Sequence, residues 1–258
     1  MKTIDLKGVQ IEFYDSAEDL PIRRYQKFNK FLMIDNEVGS DFIDFNKRTA
    51  KAVDFLRNKM LEQAVQELEN RRQMVYNSFM EYAPRDRALA ILVRSIDGKL
   101  VSEFSADALD EVIDKLDSLE LSKMKADQIV DESKKKIEKE LEMYFPEQFK
   151  RSGQLEYNSL WLGMMREELR GIIEDTDVDL TNHRKNMLIL DKPNSWNVKS
   201  KHSMEREMEV GFEKFLIGVS ELTSESTDTM TTYKFYALNE YIADKNKSLK
   251  DGRKNHKV

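Results

Sequence analysis

Residues 83–104 read APRDRALAILVRSIDGKLVSEF, and the state of the apolar run at their centre, Leu89 to Ile96, decides how much of the chain is strand. Such a run suits either a buried helix or a strand leading into the turn signal Asp97-Gly98. Its length favours the helix, as does the Pro84 ahead of it, a residue at home in a first helical turn. On that reading Asp97-Gly98 stops the helix and Lys99 to Phe104 runs extended.

Downstream, Ser105 is placed to cap a helix carrying Leu109, Val112, Ile113 and Leu116. Residues 122–144 are highly charged, with a thin apolar line of Ile129, Val130, Ile137, Leu141 and Tyr144. A helix that polar faces solvent or offers a narrow seam to one partner, which puts a soft boundary between 1–121 and 122–258. Pro146 and Gly153 precede a richer helix from Leu155 to about Glu174, and Met204 to Leu222 predicts another. In the latter, Gly211 and Gly218 would permit a close helix crossing. Between the two, residues 175–202 read as a long connection holding only a short apolar run, Met187 to Leu190.

Upstream, Asp19-Leu20-Pro21 opens a helix whose stripe is Ile22, Tyr25, Phe28, Phe31 and Leu32. Gly39 ends it, and Ser40 is the next candidate cap. From Asp41 to about Tyr82 the spacing is helical almost without break, with a bend expected near Asn58. Before all of this, Ile4 and Leu6 alternate ahead of Lys7-Gly8, and Val9, Ile11 and Phe13 after it, which predicts a small β-hairpin. Two strands alone are marginal, so the hairpin must lie on helices or be completed by another chain. In the second case Ile4, Leu6, Val9, Ile11 and Phe13 are partner-binding residues at a sheet edge open to β-augmentation.

Composition agrees with helices. Of 258 residues 40% are hydrophobic and 35% charged, and 9 Gly and 4 Pro are too few for a many-turned sheet. The expected fold is mostly α, a multi-helix bundle with that N-terminal hairpin. A formal charge of −6 gives no global attraction to polyanions. The absence of cysteine excludes disulfides, thiolate metal sites and cysteine nucleophiles. No apolar run reaches the roughly 18 residues of a membrane span, and the charged start is no signal peptide.

Catalytic signatures are missing: there is no GxGxxG, no P-loop and no GxSxG. The segment Asp175 to Asn186 follows the first half of a calcium loop through Asp175, Asp177, Asp179 and Thr181. Its second half fails, since Leu180 stands where the turn needs glycine and Asn186 where a glutamate should close the shell. His183, His202 and His256 are scattered. No cofactor, metal or catalytic residue is therefore expected.

The C-terminal stretch Thr231 to Val258 joins an aromatic helix to a basic tail. Tyr233, Tyr236 and Tyr241 sit at helical spacing, which suits docking between neighbours and nominates them as partner-binding residues. Lys245, Lys247, Lys250, Arg253, Lys254 and Lys257 offer six positive charges that can hold a phosphate backbone without sequence choice. A nucleic-acid-associated protein is thus the alternative reading.

Two segments carry a resemblance. Residues 19–98, from DLPIRRYQKFNKF through ELENRRQMVYNSFMEYAPRDRALAILVRSIDG, resemble virion and assembly proteins of tailed bacteriophages infecting gut Bacteroidetes. DTMTTYKFYALNEYI, residues 228–242, is similar to the aromatic helix that ends some phage tail-assembly proteins. The resemblance implies a non-enzymatic structural or assembly protein: a head–tail junction part, a tail component or a tail-assembly chaperone. It implies other phage proteins as partners, a possible homo-oligomer, and residence in the host cytoplasm, the virion or both. It transfers no active site.

Overall fold

The structure, a computed structural model, describes residues 1–39, 41–79, 83–149, 152–174, 176–190, 203–223 and 226–255. Two strands open the chain, β1 (Lys2–Leu6) and β2 (Val9–Phe13). Three helices follow: α1 (Ile22–Val38), α2 (Phe42–Arg57) and α3 (Leu61–Phe79). Next come α4 (Pro84–Leu92), β3 (Val93–Ile96) and β4 (Lys99–Leu100). The remainder is α5 (Ala106–Ser118), α6 (Lys123–Tyr144), α7 (Ser152–Glu174), α8 (Thr181–Leu190), α9 (Met204–Thr223) and α10 (Thr232–Asn255). The protein is mostly helical, with a small N-terminal antiparallel β element.

The run Leu89–Ile96 is both helix and strand, which corrects the expectation of one helix. The helix stops at Leu92, and Val93 to Ile96 pairs antiparallel with β2, so the hairpin is completed by this chain itself in the order β1-β2-β3-β4. Arg24 explains the switch. Its guanidinium, 3% exposed, donates to the carbonyls of Ile91 (2.7 Å) and Val93 (3.2 Å) and also to that of Val101. A cation at a helix C-terminus satisfies carbonyls that the ended helix leaves open. Tyr14 and Phe104 lie against the guanidinium at 5.6 and 5.3 Å. Asp97 (φ 49°) and Gly98 (φ 75°) then form a tight hairpin turn, as Lys7 (φ 52°) and Gly8 (φ 82°) do between β1 and β2.

One continuous core joins the sheet to α1, α4, α5, α6, α9 and α10. It runs through the expected boundary at 121/122. The charged α6 buries its thin line, Ile129, Val130, Ile137 and Leu141, and pins the N-terminal segment by Lys2–Glu132 (2.6 Å) and Lys136–Asp15 (3.0 Å). Arg85 of α4 binds Asp127 (2.5 Å) and Asp131 (2.6 Å) on the same helix. α9 runs antiparallel to α1, held where the buried Lys30 meets Glu205 (3.0 Å) and Glu209 (2.8 Å) and where Arg23 meets Glu213 (2.5 Å). The end of the chain returns to its beginning through Ile22 N to Met230 O (2.9 Å) and Thr232 N to Leu20 O (2.8 Å). Pro21 therefore sits in a bridge with Thr231, one residue ahead of the first helical turn.

Two helical hairpins project from this body. The expected bend near Asn58 is a full reversal: Lys59 takes φ 60° and α3 runs back along α2, bringing Arg48 to 3.8 Å from Glu67. Asp41, rather than Ser40, caps α2 by accepting from Asp44 N at 2.9 Å. The second hairpin is α7–α8, so part of the expected 175–202 connection is helical. A Cβ at Gly171 would overlap the Val178 side chain and the Thr176 carbonyl, so glycine sets the closeness of this turn. The close crossing expected at Gly211 and Gly218 is not seen among the described residues, none of which lies within 4 Å of a Cβ at either.

Candidate functional site

The α2–α3 hairpin has its polarity reversed. The buried stripe of α3 is Ala64, Glu67, Asn70, Arg71 and Met74, with Glu67 at 0% and Arg71 at 3% exposure. Its exposed stripe is Leu61, Val65, Leu68, Val75 and Tyr76, interrupted by Arg72. A surface helix ordinarily places these faces the other way round. α2 adds Phe42 (73% exposed), Ile43 (76%), Val53 and Leu56. The Arg48–Glu67 pairing and the turn at 58–60 set Leu56 level with Leu61, Val53 with Val65, and Ile43 with Val75. Helical angles of about 100° per residue put both stripes on one side of the hairpin, turned away from α1. The result is a continuous apolar face two helices wide.

Beneath it lies a charged layer. Arg71 Nη2 donates to the Glu37 carbonyl at 2.7 Å and stands 3.5 Å from the Glu67 carboxylate. Burial pushes the Glu67 carboxyl above the ordinary glutamate range, although Lys51, Arg48 and Arg71 pull the other way. Burial likewise lowers the Arg71 guanidinium. Among the described residues neither Glu67 oxygen has a hydrogen-bond partner. The layer locks α3 to α1 and α2 by charge, leaving its apolar residues outside.

The residues nominated from sequence fall elsewhere. Ile4, Ile11 and Phe13 are core, and Leu6 and Val9 are partly buried against that core, so these five side chains are engaged within the chain. What β1 leaves at the sheet edge is backbone. Tyr236 is turned inward against Tyr25, Phe145 and Phe149, with ring centroids at 6.5, 5.8 and 4.9 Å, and burial raises its phenol well above the usual range. Tyr233 sits edge-on to Tyr144 at 5.1 Å, and Tyr241 is 61% exposed. Tyr241 is thus the most exposed of the three, and Tyr233 keeps 37% of its surface open.

Lys245 and Lys247 are exposed on α10, which continues as helix to Asn255 where a tail was expected. Lys250, Arg253 and Lys254 lie on its last turns, and Lys257 lies outside the described residues. In the calcium-like segment Asp179 Oδ1 accepts from Thr181 N at 2.9 Å and so caps α8; Asp175 is outside the described residues. His183 lies against Gly163 inside α7–α8, and His202 and His256 are not among the described residues. A cavity of about 500 Å³ separates the end of α2 from α7–α8, lined among others by Asp54, Arg57, Met164, Arg184 and Met187. Among the described residues no three His, Cys, Asp or Glu converge as metal ligands, and no helix is long and apolar enough to cross a membrane.

The apolar face was only half legible. The 61, 65, 68, 75 spacing is visible in the sequence, but spacing alone assigns such a stripe to a core. Glu67, Asn70 and Arg71 on the opposite face give no counter-signal, because a polar face opposite an apolar stripe is the ordinary pattern of a surface helix. No protein-family model, no curated protein and no solved structure matches the chain.

Proposed function

We propose that this protein is a non-enzymatic structural or assembly component that works by docking helical faces onto other proteins, in the building of a tailed-phage particle. The observation that carries the docking reading is the exposed apolar face of α2–α3, supported by further uncovered residues on α7–α8, among them Leu169, Ile172 and Ile173. Contiguous apolar patches of that kind mark interaction surfaces. The phage context rests on the resemblance of residues 19–98 and 228–242. The nucleic-acid alternative is left with a smaller stacking surface, because Tyr233 and Tyr236 contact rings of the same chain while Tyr241 stays exposed.

Co-expression with the proteins encoded beside it tests the proposal. Val65→Glu with Leu68→Glu should abolish co-purification with a structural partner, while deletion of residues 244–258 leaves it intact. Loss of a salt-dependent affinity for DNA or RNA on that deletion, with no protein partner retained, would favour the alternative.

A further inference from the structure

The apolar face has a spacing and symmetry that select its occupant. Its nine apolar residues, Phe42, Ile43, Val53 and Leu56 on α2 and Leu61, Val65, Leu68, Val75 and Tyr76 on α3, are each between 41% and 76% exposed. On α3 the spacing 61, 65, 68, 72, 75 alternates four and three, the seam of a helix packed at a shallow angle on another helix. A two-helix hairpin with one such face is half of an antiparallel four-helix bundle.

The borders of the face differ in sign. Glu62 and Glu69 edge α3, whereas Lys47 and Arg57 edge α2, with Asp54 beside Arg57 at 3.5 Å. A two-fold axis parallel to the helices lays α2 of one copy over α3 of the other. The shared register then brings Arg57 level with Glu62 of the other copy, and the basic border meets the acidic one. Each pair occurs twice, as an isologous contact requires.

We infer that α2–α3 docks on the same hairpin of a second copy, forming a four-helix bundle with Val53, Leu56, Leu61, Val65 and Leu68 at its centre. This rests on the docking reading above and names its first partner. Arg72, at a seam position, meets Asn46 across the bundle and opposes slipped registers in which it would face Val53 on α2 of the other copy.

Light scattering on the purified full chain between about 1 and 100 μM tests the inference without any other protein present. The expected mass is twice 30.4 kDa. Val65→Glu with Leu68→Glu, and separately Val53→Glu, should weaken the dimer by at least ~100-fold with the helical circular dichroism unchanged, since all three side chains are exposed. The lack of cysteine makes Glu69→Cys a unique attachment point for a nitroxide, and a dipolar distance between copies is expected from it. A strict monomer at 100 μM overturns the self-pairing while leaving the docking reading to its own co-purification test. A dimer that persists in the glutamate variants, or that gives no inter-copy distance, overturns it as well.

Discussion

Arg24 does the work of a cap from a distance. It belongs to α1, yet the carbonyls it satisfies are those of Ile91, Val93 and Val101, around the point where α4 becomes β3. Burial lowers the guanidinium from its ordinary value, but it stays a cation in any accessible pH range. Arg24→Met keeps the packing volume and strands those carbonyls, each worth about 1–3 kcal/mol when left unmade. Chemical denaturation should show a loss of roughly 3 kcal/mol or more, and Arg24→Lys should not restore it, because one ammonium cannot span the fork. A variant as stable as the parent would show that water replaces the guanidinium. Glu67 makes the opposite case, a buried carboxylate whose surroundings disfavour its charge. Its carboxyl is raised from 4.5 by burial, against Lys51, Arg48 and Arg71, with Glu37 adding to the rise. The folded chain therefore binds this proton more tightly than the unfolded one. That contribution is full below about pH 4.5 and is lost as pH climbs through the raised value. Glu67→Gln removes the titration, so its stability relative to the parent should rise with pH above 4.5 when urea midpoints are compared. A flat difference would mean that Glu67 does not change protonation on unfolding.

At the scale of elements, two X-Gly turns set the sheet. Gly98 has φ 75° and open space around it, so an added Cβ meets only backbone preference. Gly98→Ala should cost about 1 kcal/mol in a thermal or urea melt, by the left-handed penalty alone. A cost near zero would indicate that the turn changes type. The same pair shows what was readable beforehand. Lys7-Gly8 was recognised as a hairpin because alternation flanks it on both sides. Asp97-Gly98 reads in sequence as a helix stop because Ala88 to Val93 is an unbroken apolar run, where period two and period 3.6 cannot be told apart. The deciding group, Arg24, lies 67 residues away from Ile91. Likewise α5, α6, α9 and the start of α10 were legible from their stripes and caps, all local signals. The reversal between α2 and α3 was not, because Lys59 reaches φ 60° without a glycine to announce it. The outer face of α2–α3 was legible as a stripe but not as a surface, since which face of a helix meets the core depends on charges contributed by α1.

For the whole molecule, the accessible surface is 16585 Å², whereas a compact monomer of 30.4 kDa presents about 11,800 Å². The surplus belongs in part to the two hairpins, which among the described residues reach the continuous core only through Met74 and Phe45. Their separation from it predicts unequal stability, because amides in elements that bury little apolar surface open by local unfolding. Hydrogen exchange on the full chain should therefore show slow exchange in α1, α4 and α6 and fast exchange in α7–α8. The α2–α3 hairpin is the informative element, since its largely apolar seam is open in the monomer and covered in the dimer. Its protection should increase as protein concentration passes through the dimer dissociation range, while that of α7–α8 stays constant. Glutamates at 65 and 68 should fix α2–α3 at its low-concentration rate. If both hairpins gain protection together, the second copy covers α7–α8 as well, and the four-helix pairing is too small a description of the interface.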